Sequence, residues 1–284
     1  MKVILLTRNG HEHSHVMNSL YKTLGTNLCG IFIERNIKIY SMNRMWMSLN
    51  KKYSYWRISE RILTKIIRNA LKYDDRKNRA FNKILGMQYI SKELENIPQY
   101  EGLLNSKETV EWIKSINPDI ILVYGTSIVS NEILYLAKYV ALNMHTGLSP
   151  YYRGSDTYFW PLYNGEPEMV GATVHQCTSQ VDGGRIYARI SVRLNENDDI
   201  FTAYAKCIKA GTYIYSSVVN RCIQGNIKNA DIQDLSLGRE YHFSDRTFMH
   251  DLKMEVLFRS GRLKYLIKQS YENEPLFPAD GLSC

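Results

Sequence analysis

The sequence predicts an α/β protein: a mostly parallel, doubly wound sheet carrying a helical basic insertion and a small C-terminal appendage. Three observations predict it. Short apolar runs alternate with helical patterns from residue 1 to about 222. One run, "PDIILVYG" (118–125), is apolar almost throughout, as expected of a strand buried on both faces of a parallel sheet. The rhythm is interrupted once, by a cation-rich stretch at about 35–85, and it loosens after about residue 222. The expected organisation is a main domain over 1–222 and a small region over 223–284.

The elements follow in order. "KVILLT" (2–7) reads as a buried strand, not a secretory leader, because the apolar run is short and ends in polar residues. "HSHVMNSLYKTLG" has helical spacing and a terminal glycine, and "NLCGIFIE" (27–34) is a second strand. Inside the basic stretch, "YWRISERILTKIIRNALKY" is an amphipathic helix whose apolar face, built on Ile58, Ile62 and Ile66, is expected to lie on its own domain. "SKETVEWIKSIN" begins with a capping Ser106 and places Glu108 and Glu111 in its early turns. "NEILYLAK" is a short helix, and "YVALNMH" (139–145) is a strand. "YFWPLYNGEP" closes a helix at Gly165, and "MVGATVHQC" and "GRIYARISV" are strands on either side of "TSQVDG". A long helix starts near Asp198.

Charge and cysteine content narrow the function classes. Between Arg35 and Lys83 stand 14 Lys/Arg against three acids, a balance of +11, so the rest of the chain carries −3 of the total +8. Such a segment suits an anionic substrate, a membrane surface or nucleic acid, or else is a solvated basic helical insertion. Five scattered cysteines without CxxC spacing indicate reduced thiols of a cytoplasmic protein and exclude a zinc knuckle. The first turn, "TRNGHEHSH", has one glycine where a dinucleotide fingerprint needs three. His11, His13 and His15 alternate but lack the further ligands of a convincing metal site, so no metal is expected. Arg8 and Asn9 at the helix start form a phosphate-binding corner.

The chemistry centres on "NMHTGLSPYYRG" (143–154). Asn143 and His145 are two apart, so an extended backbone turns both side chains to one face at a strand's carboxyl end. The amide can donate to a developing oxyanion, and the imidazole can move a proton near neutral pH. Asp182 in "QVDGG" supplies an anion to orient that imidazole and raise its pKa.

The segment from Ala141 to Ile186 resembles the folate-dependent formyltransferases. It carries an Asn-x-His pair, a leucine–proline turn, a Tyr-Arg-Gly step, an Asn-Gly-Glu segment and a later Asp-x-Gly, in that order. It departs from the usual pattern at Ser149 and Thr146. The resemblance implies a Rossmann-like domain that transfers a formyl group from N10-formyltetrahydrofolate to an amine, with Asn143, His145 and Asp182 as the catalytic trio and no metal. By the same resemblance His175 braces His145, and the pterin lies against Gly125, Thr126, Ser127 and Ile128 on one side and Thr178, Ser179, Gln180 and Val181 on the other. Chain length favours a nucleotide-linked 4-amino or 3-amino deoxysugar as acceptor. Arg8, Asn9, Arg153 and Gly154 are its expected contacts, and the resemblance implies that the region 223–284 serves homodimer or substrate contacts. The alternatives are another amine, such as a purine precursor or an aminoacyl-tRNA. A different class is a non-catalytic RNA- or membrane-binding relative that uses the basic insertion with Trp46, Tyr53, Tyr55 and Trp56.

Overall fold

A computed structural model describes residues 1–35, 54–226, 230–271 and 277. Trp46, Tyr53 and the side chains of Tyr55 and Trp56 lie outside what is described, as do Cys284 and the first part of the basic insertion. The chain runs β1 (Val3–Thr7), α1 (His11–Leu24), β2 (Leu28–Glu34), α2 (Ser54–Ala70), α3 (Tyr73–Leu85), α4 (Lys92–Glu95) and β3 (Gln99–Gly102). It continues with α5 (Lys107–Ile116), β4 (Ile120–Val123), α6 (Asn131–Leu134), β5 (Val140–His145), β6 (Tyr152–Gly154), α7 (Trp160–Asn164), β7 (Gly171–Gln176) and β8 (Ile186–Ser191). The long α8 (Ile200–Ile223), β9 (Arg239–Tyr241), α9 (Phe248–Arg259) and α10 (Arg262–Ser270) complete it.

Among the described residues the main sheet has seven strands in the order β3-β2-β1-β4-β5-β7-β8. The first five are parallel, and β7 and β8 are added antiparallel. Both faces of the central strands are covered, which is why β1 and β4 read as unbroken apolar runs. Val3, Leu5, Ile31, Leu122 and Leu142 share one core with Val16 and Leu20 of α1, Phe81 of α3 and Ile208 of α8. Ile4, Leu6, Phe32, Ile121 and Val123 share another with Val110 and Ile113 of α5 and Ile133 of α6. The period-two alternation thus sorts one strand's residues into two cores.

Local chemistry sets the element ends. The Ser106 side chain accepts from the Thr109 N–H at the start of α5. At the start of α8, the Asp199 carboxylate accepts from the N–H groups of Phe201 and Thr202. Tyr215 on α8 is fully buried. It donates to the Leu142 carbonyl (2.9 Å) and accepts from the Val123 N–H (3.0 Å), pinning β4 and β5 just where both strands run out toward the cleft. Strand β3 has no counterpart in the sequence reading; "QYEG" is too short and polar to announce itself.

The region after residue 222 is built into the main body. β9 pairs in parallel with β6, and Tyr241, Met254, Leu263 and Ile267 share a core with Tyr152, Phe159, Trp160 and Phe201. Buried charges tie it further. Asp251 is fully buried and receives Arg246 Nε (2.8 Å) and Arg68 Nε (2.6 Å), while Arg246 reaches Asp156 as well (3.1 Å).

Helix α2 departs from expectation. It does lie against its own fold, but through its polar side: Glu60 accepts from the Phe248 N–H and Arg68 meets Asp251. The apolar stripe predicted to face inward points out, with Ile62 54% and Ile66 57% exposed. The reason is that α9 presents a buried carboxylate and an N-terminal N–H that need partners, and leaving them unmet costs about as much as exposing the aliphatic stripe. No helix among the described residues is long and apolar enough to cross a membrane.

Replacing Asp251 by Ala should destabilise the protein by about 3–5 kcal/mol, because Arg246, only 4% exposed, would be left with Asp156 alone and Arg68 would lose its partner. The shift of the urea unfolding midpoint measures it.

Candidate active site

A cleft of about 680 Å³ opens at the carboxyl ends of β1, β4 and β5, where an open α/β sheet places its ligands. Strand β5 delivers Asn143 and His145 to it, two residues apart and on one side. The antiparallel neighbour β7 sets His175 opposite Asn143. The turn after β7 then brings Asp182 back over both.

The distances define a compact cluster. Asp182 Oδ2 lies 3.3 Å from His145 Nδ1 and accepts from the Gly154 N–H at 2.8 Å. Asp182 Oδ1 lies 3.2 Å from His175 Nε2 and 3.5 Å from Asn143 Nδ2. Asn143 Nδ2 lies 3.1 Å from His175 Nε2, and His175 Nδ1–H donates to the Gln176 carbonyl (2.9 Å). His145 Nε2–H donates to the Tyr152 carbonyl (3.0 Å). A ring with that proton placed keeps its lone pair on Nδ1, the edge beside Asp182.

Two expectations meet this arrangement. First, the Asp182 charge does act to raise the His145 pKa, as expected, but burial is the larger effect and leaves the imidazole below its ordinary value. The resting ring is therefore neutral at pH 7. For Asp182 burial acts upward, but the positive charge of His145 when that ring is protonated, His175 and the Gly154 N–H outweigh it and hold the carboxyl below its usual range. Second, His175 does not brace His145; the rings sit 6.3 Å apart and edge-on. Its nitrogens meet Asn143, Asp182 and the Gln176 carbonyl.

Backbone geometry holds the aspartate. Asp182 itself has φ 47, a left-handed conformation that an aspartate tolerates better than most side chains. A Cβ on Gly184 would stand 2.0 Å from the Gln176 carbonyl oxygen, so only glycine fits there. Gln233 Nε2 donates to the carbonyls of both Asp182 and Gly184. Gly154 has φ +87, and a Cβ on it would meet the Tyr241 carbonyl oxygen at 2.1 Å; this close approach is what lets β6 pair with β9.

The other predicted positions divide. Gly125, Thr126, Ser127 and Ile128 line one side of the cleft, and Thr178, Ser179, Gln180 and Val181 line another. The Ser127 N–H and hydroxyl are both committed to Glu34, so they are not open to a ligand's edge. Glu34, 3% exposed at the end of β2, also receives Arg8 Nε (2.8 Å). Arg8 therefore lines the cleft with its charge already paired. Asn9 is exposed and is not among the lining residues. Arg153 is corrected from ligand contact to scaffold: it is 7% exposed, bonds the Pro150 carbonyl and does not line the cleft, although the adjacent Gly154 does. The Asn-Gly-Glu segment is scaffold too. Asn164 donates to the phenol oxygens of Tyr152 and Tyr241, and Glu166 accepts from Tyr152.

Sequence reasoning missed several contributors. Glu34 had a faint signal, an acid closing an apolar strand. Gln233, Tyr204 and the wall formed by Glu240, Tyr241, His242 and Phe243 had none. Glu12, also on the cleft, sits 2.9 Å from Lys77; burial would raise its carboxyl, but Lys77 and the backbone hold it low. Of the alternating histidines, His13 faces the cleft against Gly125 and Thr7, whereas His11 bonds the Gly86 carbonyl. Among the described residues no group of three or more His, Cys, Asp or Glu could hold a metal ion.

The formyl transferase family model matches residues 65–219, just over half of the chain. A bifunctional polymyxin resistance protein ArnA from Wigglesworthia glossinidia brevipalpis is 31% identical over 136 residues, covering 48% of this chain and 21% of that protein. A methionyl-tRNA formyltransferase from a Sulfurihydrogenibium species is 32% identical over 136 residues, covering 46% of this chain and 43% of that protein. The chain thus matches less than half the length of each of these curated relatives. The solved structure of a sugar N-formyltransferase from a Shewanella species superposes with TM-score 0.54 at 15% identity, over 86% of this chain and 78% of that one, and shares the fold.

Stability should depend on pH through the buried imidazoles. Burial lowers His13 from 6.5 to about 4, and His145 is lowered as well. Between those values the unfolded chain binds protons that the folded one does not, so stability is full above about 6.5 and is lost as pH falls toward 4. His13→Gln should remove about 3 kcal/mol of the change in unfolding free energy between pH 7 and pH 4, read from urea curves across that range.

Proposed function

The chain belongs to the formyl transferase family, and from that premise we propose that it moves a formyl group from N10-formyltetrahydrofolate to the primary amine of a nucleotide-linked amino deoxysugar. One observation carries the chemistry: a half-buried amide, a neutral imidazole and a buried carboxylate converge on one cleft, with the carboxylate 3.3 Å from the imidazole.

Each group has a role that its surroundings favour. As the acceptor nitrogen bonds to the formyl carbon, negative charge develops on the formyl oxygen, and Asn143 Nδ2–H is placed to donate to it. The attacking nitrogen must shed a proton. His145 Nδ1 takes it, because the Tyr152 carbonyl fixes the other ring proton on Nε2. The imidazolium so formed lies beside Asp182, whose ionised carboxylate stabilises it in a site poor in water. As the bond from the formyl carbon to N10 breaks, the same proton passes from His145 to that departing nitrogen, and tetrahydrofolate leaves neutral at N10. Asp182 holds its charge throughout.

The loops at 125–128 and 178–181 flank this centre and suit a flat heterocycle bounded by backbone groups. A sugar acceptor is supported by the fold shared with a sugar N-formyltransferase and by polar groups in the cleft lining, where Glu12, Tyr204 and Glu240 offer partners for hydroxyl groups. A second acceptor is favoured by sequence, since one of the relatives is a methionyl-tRNA formyltransferase.

The test is an acceptor screen with N10-formyltetrahydrofolate, read by mass for gain of one formyl group. Aminated nucleotide sugars should be formylated and methionyl-tRNA should not; the reverse outcome would move the assignment to tRNA. With the accepted amine, Asn143→Ala should lower kcat by about 10²–10³. The acid limb of kcat/KM should report His145, with rate lost as pH falls through a pKa below 6.5. In Asp182→Asn that limb should move to still lower pH, because the charge that raises the imidazole's pKa has gone.

A further inference from the structure

We propose that helices α2 and α9 form a docking surface for an anionic phospholipid membrane. The inference is independent of the acceptor assigned above, since none of these residues lines the cleft.

The two helices pack side by side, joined by Glu60 to the Phe248 N–H and by Arg68 to Asp251. Each turns an aliphatic stripe to the outside. On α2 these are Ile62, Leu63 and Ile66, exposed by 54%, 41% and 57%. On α9 they are Met249, Leu252 and Val256, exposed by 59%, 37% and 65%. Spacings of three and four residues keep each set on one helix face. An amphipathic helix that buries its polar side in the protein and shows its apolar side to solvent is built to meet something apolar.

Charge selects the occupant. Arg61 and Lys65 border the α2 stripe and have no ion-pair partner among the described residues. Every acid on the two helices is engaged: Glu60 with the Phe248 N–H, Asp251 with Arg68 and Arg246, Glu255 with Arg76 and Arg259. A second copy docked about a two-fold axis would set cations against cations with no free acid on either helix to answer them. RNA would meet the cations, but a phosphate backbone leaves Ile62, Ile66, Met249 and Val256 uncovered. A bilayer answers both features: headgroup phosphates for Arg61 and Lys65, and the acyl boundary for the isoleucines.

The experiment is co-sedimentation of the full chain with vesicles of phosphatidylcholine, with and without phosphatidylglycerol. The wild type should partition onto the phosphatidylglycerol vesicles and only weakly onto phosphatidylcholine alone. The pairs Ile62→Ser with Ile66→Ser, and Arg61→Gln with Lys65→Gln, should each lower partitioning at least about tenfold. These side chains are exposed, so circular dichroism and Tm should stay at wild-type values. Equal partitioning of wild type and variants would overturn the proposal. So would absence of vesicle binding together with a concentration-dependent dimer that the serine pair disperses, or together with salt-sensitive RNA binding that the glutamine pair abolishes.

Discussion

The hydrogen bond from the Gly154 N–H to Asp182 Oδ2 is the contact on which the rest of the site depends. A carboxylate buried this deeply survives as an anion only if donors replace the water it has lost. Gly154 is the one backbone donor to it among the described residues, and it comes from a strand of three residues that cannot stand alone. The neighbouring residue in that strand, Tyr152, supplies the carbonyl that fixes the proton on His145 Nε2. One short stretch of backbone therefore keeps Asp182 ionised and leaves the lone pair of His145 on the ring edge beside it. The strand is held by β9, nearly ninety residues further along, through a parallel pairing close enough to require glycine at position 154. The C-terminal region thus shapes the chemistry through main-chain hydrogen bonds, and Gln233 adds a further grip on the carbonyls of the aspartate turn.

The residues that resemble a family pattern divide by physical task. Asn143, His145 and Asp182 face the cleft. Arg153, Asn164 and Glu166 do not reach it; they lock Tyr152, Pro150 and Tyr241 in place. A pattern spread over some forty residues can therefore hold few groups that touch a ligand. Its remaining members are the scaffold that sets one carbonyl and one N–H at the right places. Precision of this kind belongs in a rigid element, and the stack of Tyr152, Trp160 and Tyr241 supplies the rigidity.

Much of the fold was legible because parallel strands buried on both faces are apolar throughout, as in β1 and β4, and because the capping Ser106 and the closing Gly165 mark their helices. Asn143 and His145 were legible for a similar local reason, a period of two at a strand's end. What escaped was set by tertiary contact. Glu34 closes a strand and looks ordinary until Ser127, 93 residues away, is found bonded to it. The sign of the His145 shift could not be read either. Proximity to an acid is suggested by sequence, but the depth of burial that overrides it depends on how Tyr152, Thr157 and Gly147 close around the ring.

Helix α2 shows the same limit in another form. Periodicity tells which face of a helix is apolar, and it says nothing about which face a neighbour demands. Here α9 carries Asp251 with no exposure at all, and that carboxylate requires cations wherever it is placed. Arg246 supplies one from its own segment and Arg68 supplies another across the interface. Turning the helix to bury its isoleucines would withdraw Arg68 and strand part of that charge. Exposing two or three aliphatic side chains costs about 1.5–3 kcal/mol each at most, in the same range as the loss of one buried ionic partner. The balance is close enough that a surface able to cover those side chains would favour the observed orientation decisively, since it would remove the apolar exposure and leave the buried ion pairs intact.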